Sequence, residues 1–289
     1  MLSVPAIAGV FSFATGACIA SFLNVVIWRV PRGESIVAPP SHCPKCGAAI
    51  RWWRNIPILS WLALRGRCAN CRAPISPRYI LVEALGGALF LAAFFRYDPV
   101  SPFLWTPSAA ALLVAWIWIS LMMAGSFIDI DHKLLPDFVT VGGMALGVGY
   151  GLFKCIVAGS LCGWSLDALR PLAFSLSGLV FGFGLLWLVR FLGTKAFRRE
   201  AMGMGDVFLM GAVGAIFGPV AVLATLILSA VAGSAVGLAG IAAGKLRLGR
   251  FAEIPYGPFI CLGCLAWMFR GPELVDWYLG ICRIAAAHG

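Results

Sequence analysis

Acidic side chains at two places in an otherwise apolar sequence are the residues best suited to chemistry. Asp206 ends the segment Met202–Asp206, which joins a basic run to a long apolar stretch. Asp129, Asp131 and Asp137 lie together at the end of an earlier apolar stretch. A carboxylate placed in hydrocarbon is costly unless it is protonated, paired or hydrated. Each of these residues is therefore a candidate functional group.

Asp129 and Asp206 are the natural partners within this set. Asp129 follows Phe127 and Ile128, so it is the most deeply placed acid of its cluster. Two carboxylates within a few ångströms share a proton, and such a pair can activate water and polarise a scissile carbonyl, as in aspartic proteases. The same pair could instead relay protons in a transporter.

Other acidic and glycine residues have supporting or purely structural interpretations. Gly203 and Gly205 allow another backbone to approach closely beside Asp206. Asp137 follows Leu135-Pro136 at the start of the next apolar segment, where an acidic residue also suits the first turn of a helix. Asp131 lies beside His132 and Lys133, which is also compatible with a solvated surface charge.

Four cysteines form two C-x-x-C pairs separated by 21 residues. This spacing is typical of a structural zinc site with four thiolate ligands, and a small insert without much core needs such a cross-link. The predicted ligands are Cys43, Cys46, Cys68 and Cys71. Gly47 can form the tight turn after the first pair, and Arg72 occupies the related place in the second. Disulfides or redox thiols are the alternatives, but disulfides are rare in the cytoplasm.

The overall composition indicates a polytopic membrane protein. Hydrophobic residues make up 61% of the chain and charged residues 12%, with a mean hydropathy of +0.93. Soluble domains are about half apolar and one quarter charged. The excess of Lys and Arg is first a topology signal in such a protein, so a nucleic-acid partner is not expected; the partner that the charge favours is the lipid bilayer.

Apolar runs of roughly 20 residues predict an all-α fold with about eight transmembrane helices. We predict a first helix in 1–28, a cytoplasmic zinc insert in 29–78 and a membrane-embedded domain in 79–289, which the family resemblance described below identifies as an aspartyl peptidase domain. Gly218-Pro219 is interpreted as a turn between the sixth and seventh spans. The predicted spans are 4–28, 79–96, 108–128, 138–158, 171–192, 206–219, 220–243 and 256–270.

The distribution of basic residues predicts the orientation. The alternate segments 29–78, 129–137, 190–205 and 244–255 hold 9, 1, 4 and 3 of the 22 Lys and Arg residues. Because basic loops stay on the cytoplasmic side, these segments are expected there, with both termini outside. Asp129 and Asp206 would then lie at the same side of the membrane.

The remaining cysteines do not form a second ligand set. Cys261 and Cys264 have the C-x-x-C spacing but lie within an apolar run, where buried thiols are expected because unsolvated thiolates are costly. Cys155 and Cys162 flank a predicted external loop, where a disulfide is a secondary possibility.

Beyond these properties, the sequence resembles the type IV prepilin leader peptidase family, which is bifunctional with an N-methyltransferase activity. Gly203-Met204-Gly205-Asp206 fits the G-x-G-D signature of intramembrane aspartic proteases. The two C-x-x-C pairs match the cytoplasmic insert of the family. Further stretches match in the order of the family: residues 20–31, 76–83, 129–137, 199–207 and 254–259.

The resemblance implies that Asp129 and Asp206 form the catalytic pair. The substrate would be a type IV prepilin or a type II secretion pseudopilin, cleaved after a glycine at the end of a short basic leader on the cytoplasmic side of the bacterial inner membrane. The new N-terminus would then be methylated from S-adenosylmethionine. Which substrate is used, and whether the protein is an oligomer, does not follow from the sequence.

The methyltransferase activity is supported by the resemblance alone, since the sequence contains no glycine-rich nucleotide-binding fingerprint. Asn24 and Glu83 are the candidate residues for it, although a packing amide and an interfacial charge would explain them equally. Contacts to a basic leader are expected from Glu34, Asp131, Asp137 or anionic lipid. A proton-coupled transporter and a zinc-containing membrane scaffold are the competing classes.

Two positions depart from the pattern of the family. Ala20 replaces the usual glycine before Ser21, and Phe208 replaces the usual lysine two residues after the second aspartate. Loss of that cation removes a charge that would favour the ionised form of Asp206.

Overall fold

The computed structural model describes residues 4–97, 107–163, 165–200, 202–244 and 255–288. This part of the chain is predominantly α-helical and has no β-strand beyond two isolated bridges in the insert. The helices are α1 (Val4–Arg29), α2 (Leu59–Ala63), α3 (Arg78–Tyr97), α4 (Pro107–His132), α5 (Asp137–Cys162), α6 (Leu166–Phe197), α7 (Met204–Phe217), α8 (Pro219–Ala242) and α9 (Gly257–His288).

Six of the described helices are long and apolar enough to cross a membrane. They coincide with the predicted spans 4–28, 79–96, 108–128, 138–158, 171–192 and 220–243, and the expectation of an all-α membrane protein is confirmed. The predicted span 206–219 is the short apolar helix α7. The predicted span 256–270 is the first part of α9, which is not among the six; Arg270, Glu273 and Asp276 follow its apolar run.

The chain forms two compact units, Met1–Ala124 and Gly125–Gly289. In the first unit, α1 packs against α3. Trp116 stacks on Phe90 with 5.1 Å between ring centroids and donates from its indole nitrogen to the Phe90 carbonyl at 3.2 Å. The insert between α1 and α3 contains two short 3-10 segments and the five-residue helix α2. The insert therefore connects the ends of two helices that pack against each other.

In the second unit, α7 is the central helix and packs against α5, α6, α8 and α9. Nine of its fourteen residues are buried. The closest approach is between α6 and α7, where a Cβ added at Gly178 would overlap the Gly214 carbonyl and one added at Gly214 would overlap the Gly178 carbonyl. Because only glycine lacks this atom, these two positions set the distance between the helices.

The turn between α7 and α8 is formed by Gly218, as predicted. Its φ of +83° is a conformation that residues with a side chain rarely adopt, and Pro219 begins the next helix. The carbonyls at the end of α7 are satisfied from nearby: Gly218 N–H donates to the Gly214 carbonyl at 2.8 Å, and the buried Ser175 hydroxyl of α6 donates to the Ala215 carbonyl at 2.7 Å.

Candidate active site and metal centre

Asp129 and Asp206 are brought together within the second unit. Asp129 lies in the last turn of α4 and Asp206 is the third residue of α7. Their exposed fractions are 6% and 9%, so both are buried. The two carboxylates are near enough to interact electrostatically. The pairing that the sequence only allowed is therefore present in the structure.

A backbone amide from a third element contacts the first carboxylate. Gly257 N–H, at the start of α9, donates to Asp129 Oδ2 at 3.1 Å. A Cβ at this position would lie 2.7 Å from the same oxygen. Glycine is therefore required here so that the backbone can reach the carboxylate.

The glycines around Asp206 shape the entry to α7. Gly203 is the N-cap residue, with extended φ and ψ of −66° and 148°, and its backbone amide interacts with the Asp206 carboxylate. Gly205 lies against Leu135, since a Cβ at Gly205 would be 2.8 Å from Leu135 Cβ. Gly205 therefore allows the close approach that the sequence suggested, whereas a Cβ at Gly203 would meet nothing nearer than Asp206 Oδ2 at 3.6 Å.

The other two predicted acids are not part of this buried pair. Asp131 and Asp137 are both exposed. Asp137 is the first residue of α5, and the N-cap position is occupied by Pro136. The predicted first-turn location of Asp137 is confirmed, and both acids are accessible to a ligand in solution.

Phe208 takes part in apolar packing. Its ring lies 5.6 Å from the ring of Phe183 on α6, tilted by 49°. Phe208 therefore contributes apolar packing at the position where the family pattern usually has a lysine.

Tyr256 and Ser229 are site residues that the sequence analysis did not single out. The Tyr256 hydroxyl lies 2.7 Å from Ser229 Oγ on α8, and Tyr256 interacts electrostatically with Asp206. The signal that could have found Tyr256, and Gly257 beside it, was the matched stretch 254–259, to which no role had been assigned.

Arg190 holds the loop that leads to Asp206. From α6, its Nε donates to the Met202 carbonyl at 2.9 Å, and its Nη2 lies 3.1 Å from Glu200 Oε1. The backbone before the G-x-G-D segment is therefore attached to α6 on one side.

The four predicted metal ligands converge in the first unit. The sulfur atoms of Cys43, Cys46, Cys68 and Cys71 all lie within 4.8 Å of one another, and Cys43 Sγ is 3.9 Å from Cys71 Sγ. Four sulfurs placed tetrahedrally at about 2.3 Å from a zinc ion would be about 3.8 Å apart. The cluster can therefore hold one structural metal ion.

The two cysteine pairs have the same backbone geometry. Gly47 N–H donates to the Cys43 carbonyl at 2.9 Å, and Arg72 N–H donates to the Cys68 carbonyl at 3.0 Å. Gly47 and Arg72 both have positive φ, at +69° and +59°. The predicted equivalence of these two turn residues is confirmed.

The pKa values of the thiols in the cluster are shifted in opposite directions. The Cys71 and Asn70 amides lower the pKa of the Cys68 thiol to about 6. Although the Ala73 amide acts in the opposite direction, desolvation and the neighbouring Cys46 and Cys68 thiols raise the pKa of Cys71 to about 11. Neighbouring thiolates repel one another, and a shared cation removes that conflict.

The remaining predictions concern Glu83, Asn24 and the other cysteines. The Glu83 carboxylate is buried and accepts from the Ile58 N–H at 2.7 Å, which connects the insert to α3. Asn24 Nδ2 donates to the Tyr79 carbonyl at 3.4 Å. Cys261 and Cys264 are buried, as expected. The side chain of Cys162 and most of the predicted loop 244–255 lie outside the described residues.

The chain is similar to bacterial proteins of one kind. A Myxococcus xanthus prepilin leader peptidase/N-methyltransferase is 40% identical over 271 residues, covering 93% of this chain and 74% of the relative. A Legionella pneumophila protein of the same name is 35% identical, covering 95% and 94%. An Escherichia coli type 4 prepilin-like proteins leader peptide-processing enzyme is 34% identical, covering 92% and 95%. None of these is a transporter, and no solved structure matches the chain.

Family matches divide the chain in a similar way. Residues 14–97 match the Bacterial Peptidase A24 N-terminal domain, and residues 116–238 match the Type IV leader peptidase family. Asp129 and Asp206 fall within the second match, and the cysteine cluster falls within the first. Six apolar helices and bacterial relatives together indicate a bacterial integral membrane protein. The chain therefore belongs to the type IV leader peptidase family.

Proposed function

We propose that this protein cleaves the leader from type IV prepilins or type II secretion pseudopilins and then methylates the new N-terminus. The buried pair Asp129 and Asp206 is the observation that carries the peptidase proposal. Its location within the match to the leader peptidase family supports the same function.

In this proposal the two carboxylates have different roles in hydrolysis. The ionised member takes a proton from water as the oxygen attacks the scissile carbonyl carbon, and the protonated member donates a hydrogen bond to the carbonyl oxygen. The tetrahedral intermediate collapses when the C–N bond breaks and the leaving amine receives a proton from the pair. Gly257 N–H holds Asp129 in position throughout.

We place this reaction on the cytoplasmic side of the bacterial inner membrane. The predicted cytoplasmic segments hold most of the Lys and Arg residues. Asp131 and Asp137 are exposed and follow Asp129 along the chain. These two acids, and Glu34 in the insert, suit contacts with a basic leader because opposite charges attract.

Zinc is the metal that we propose for the cysteine cluster. Four thiolates at tetrahedral spacing suit a closed structural zinc site. The ion would connect the two C-x-x-C turns and so stabilise an insert that has little core of its own.

S-adenosylmethionine is the proposed methyl donor. When bound, it supplies an electrophilic methyl group to the amine that the peptidase exposes. The names of the relatives, prepilin leader peptidase/N-methyltransferase, support a methyl donor for this chain.

One assay tests both activities. A prepilin with a basic leader is incubated with the purified protein and S-adenosylmethionine, and mass spectrometry records cleavage and the added methyl group. Asp129→Asn and Asp206→Asn are each expected to abolish cleavage, because the pair then lacks one carboxylate. The matched control is Asp167→Asn, at an exposed acid paired with Arg170. Full cleavage by either active-site variant would refute the catalytic pair.

A further inference from the structure

The insert of the first unit carries an exposed apolar patch between residues 52 and 62. The exposed fractions of its five large side chains are 77% for Trp52, 45% for Trp53, 42% for Ile56, 64% for Leu59 and 54% for Leu62. Clustered exposed apolar side chains mark a surface that binds a partner or a membrane. Neither the peptidase reaction nor the metal site assigns a role to this patch.

The fold of the insert holds the two halves of the patch together. The rings of Trp52 and Trp53 meet edge to face with 5.6 Å between their centroids. The Ser60 hydroxyl of α2 donates to the Trp53 carbonyl at 3.3 Å, which attaches the turn of the tryptophans to this helix. Leu59 and Leu62 are three residues apart on α2, so they share one side of the helix. Aromatic and aliphatic side chains are therefore presented by neighbouring parts of the insert.

A hydrogen bond fixes how close this segment lies to the membrane helices. The Ile58 N–H, in the middle of the segment, donates to Glu83 Oε2 at 2.7 Å, and Glu83 is buried. Glu83 is the sixth residue of α3, about 7.5 Å along the helix axis from Arg78. The whole of α3 is about 30 Å long, which is the thickness of the hydrocarbon core. The segment around Ile58 is therefore held at the depth of the membrane interface and not out in the solvent.

Arginines lie on both sides of the patch along the chain. The exposed arginines of this part of the insert are Arg51, Arg54, Arg65 and Arg67. The Arg51 guanidinium lies 5.1 Å from the ring centre of Trp53, and the sequence of residues 50–75 contains no acid. Such a surface repels the basic leader of the proposed substrate and attracts the headgroups of anionic phospholipids. Its charge and its apolar character together fit an anionic membrane surface.

We propose that the apolar patch inserts into the headgroup boundary of the leaflet at which α1 ends and α3 begins, with the flanking arginines bound to the phosphates of anionic phospholipids. Tryptophan favours this boundary because its ring is amphipathic. Residues 52–62 then form an interfacial anchor that keeps the insert on the bilayer. This inference does not depend on the peptidase or the methyltransferase activity.

The experiment uses the full-length protein in nanodiscs of equal parts phosphatidylcholine and phosphatidylglycerol. A small fraction of the lipid carries a photoreactive diazirine next to the headgroup, and mass spectrometry measures lipid adducts on residues 52–62 relative to those on α3. Leu59→Glu combined with Leu62→Glu places two charges in the patch. Pro44→Glu combined with Ala49→Glu is the matched control, because it places the same charges at exposed positions of the insert outside the patch.

The wild type is expected to form lipid adducts on residues 52–62. The patch variant should lower them at least about tenfold, because it loses the burial of two leucine side chains in an apolar environment, while the control variant stays within about twofold. Unchanged adducts on α3 and an unchanged melting temperature show that the patch variant is folded. Nanodiscs of phosphatidylcholine alone should lower the wild-type adducts by about fivefold or more, through loss of the attraction between arginine and anionic lipid.

Three results would overturn the proposal. A wild type with adducts on α3 but none on residues 52–62 has its patch outside the membrane. Equal adducts with and without phosphatidylglycerol, a comparison that needs no variant, would exclude the contact of the arginines with anionic lipid. If native mass spectrometry finds a dimer that the patch variant dissociates, and residues 52–62 carry no lipid, the patch binds a second copy of the chain.

Discussion

Each of the two buried aspartates is contacted by the backbone amide of a glycine. Gly257 N–H donates to Asp129 Oδ2, and the Gly203 amide interacts with the carboxylate of Asp206. Backbone donors are held by the fold itself, so they fix the orientation of a carboxylate without the rotamer freedom of a side chain. The orientation of the pair therefore depends on these backbone amides as well as on the acids, and at Gly257 the contact also requires glycine.

Gly257→Ala is expected to reduce leader cleavage by about 100-fold, because a shift of about 1 Å in a catalytic group can have that effect. The new Cβ would lie 2.7 Å from Asp129 Oδ2 and would push the carboxylate or the start of α9 aside. The control is Gly149→Ala on α5, where an added Cβ has no neighbour within 4 Å. Initial cleavage rates provide the measurement, and equal rates for the two variants would contradict this role of Gly257.

At the scale of the elements, the loop between α6 and α7 determines where Asp206 lies. Arg190 donates hydrogen bonds to the Met202 carbonyl and to the Glu200 carboxylate of this loop, while Gly205 packs against Leu135. The loop is thus attached to α6 by a charged side chain and to the segment after α4 by apolar contact. Changes in Arg190 should act through the position of Asp206.

Arg190→Ala is expected to lower kcat by roughly tenfold or more with little change in KM, because the misplaced carboxylate affects the reaction more than substrate binding. Arg190→Lys keeps one donor and should recover part of the rate. Arg170→Ala, which removes only an exposed pair with Asp167, serves as the control. A rise in KM alone would indicate that Arg190 contacts the substrate instead.

The role of the cysteine cluster can be tested by measuring the metal content of the protein. Elemental analysis of the purified protein should find close to one zinc ion per chain, and Cys43→Ser should lose it, since a four-thiolate site depends on each ligand. Cys264→Ser, at a buried cysteine of α9, is the matched control and should keep the metal. Metal-free wild-type protein whose four insert thiols react fully would disprove the site.

At the scale of the whole molecule, the apolar runs and the cysteine spacing predicted most of what the structure contains. Six spans and the turn at Gly218 followed from hydropathy and from one Gly-Pro pair. The short length of α7 also followed from that pair, since the helix Met204–Phe217 occupies most of the predicted span 206–219. The extent of α9 did not, because the predicted span ends at 270 whereas the helix continues to His288. Hydropathy measures transfer to lipid, and it does not register how far a helix continues into more polar sequence.

The site was predicted less completely than the fold. Asp129 and Asp206 could be singled out because acids are rare in apolar sequence. The contacts of Gly257 and of Tyr256 with Ser229 depend on how α9 packs in the second unit. Such long-range contacts have no period or spacing in the sequence, so the stretch 254–259 could be noticed but not interpreted.

The orientation in the membrane is a prediction for the whole chain. In spheroplasts, a membrane-impermeant maleimide should label Ser165→Cys, in the predicted external loop, without permeabilisation. Glu34→Cys, in the insert, should be labelled only after permeabilisation, because the basic residues of the insert keep it on the cytoplasmic side. Both positions are exposed, and labelling of each is read from its own peptide by mass spectrometry. The reverse pattern would invert the topology.

The length of α7 has a consequence for the bilayer itself. Fourteen residues give a helix of about 21 Å, whereas the hydrocarbon core is about 30 Å thick. If the Asp206 end meets water, the Gly218 end stops inside the lipid, where exposed carbonyls would find no solvent. The Ser175 hydroxyl, donating to the Ala215 carbonyl, then replaces the missing water. The Asp206 end of α7 can therefore reach water while its Gly218 end stays within the hydrophobic depth of the membrane, because the Ala215 carbonyl is satisfied by the protein itself.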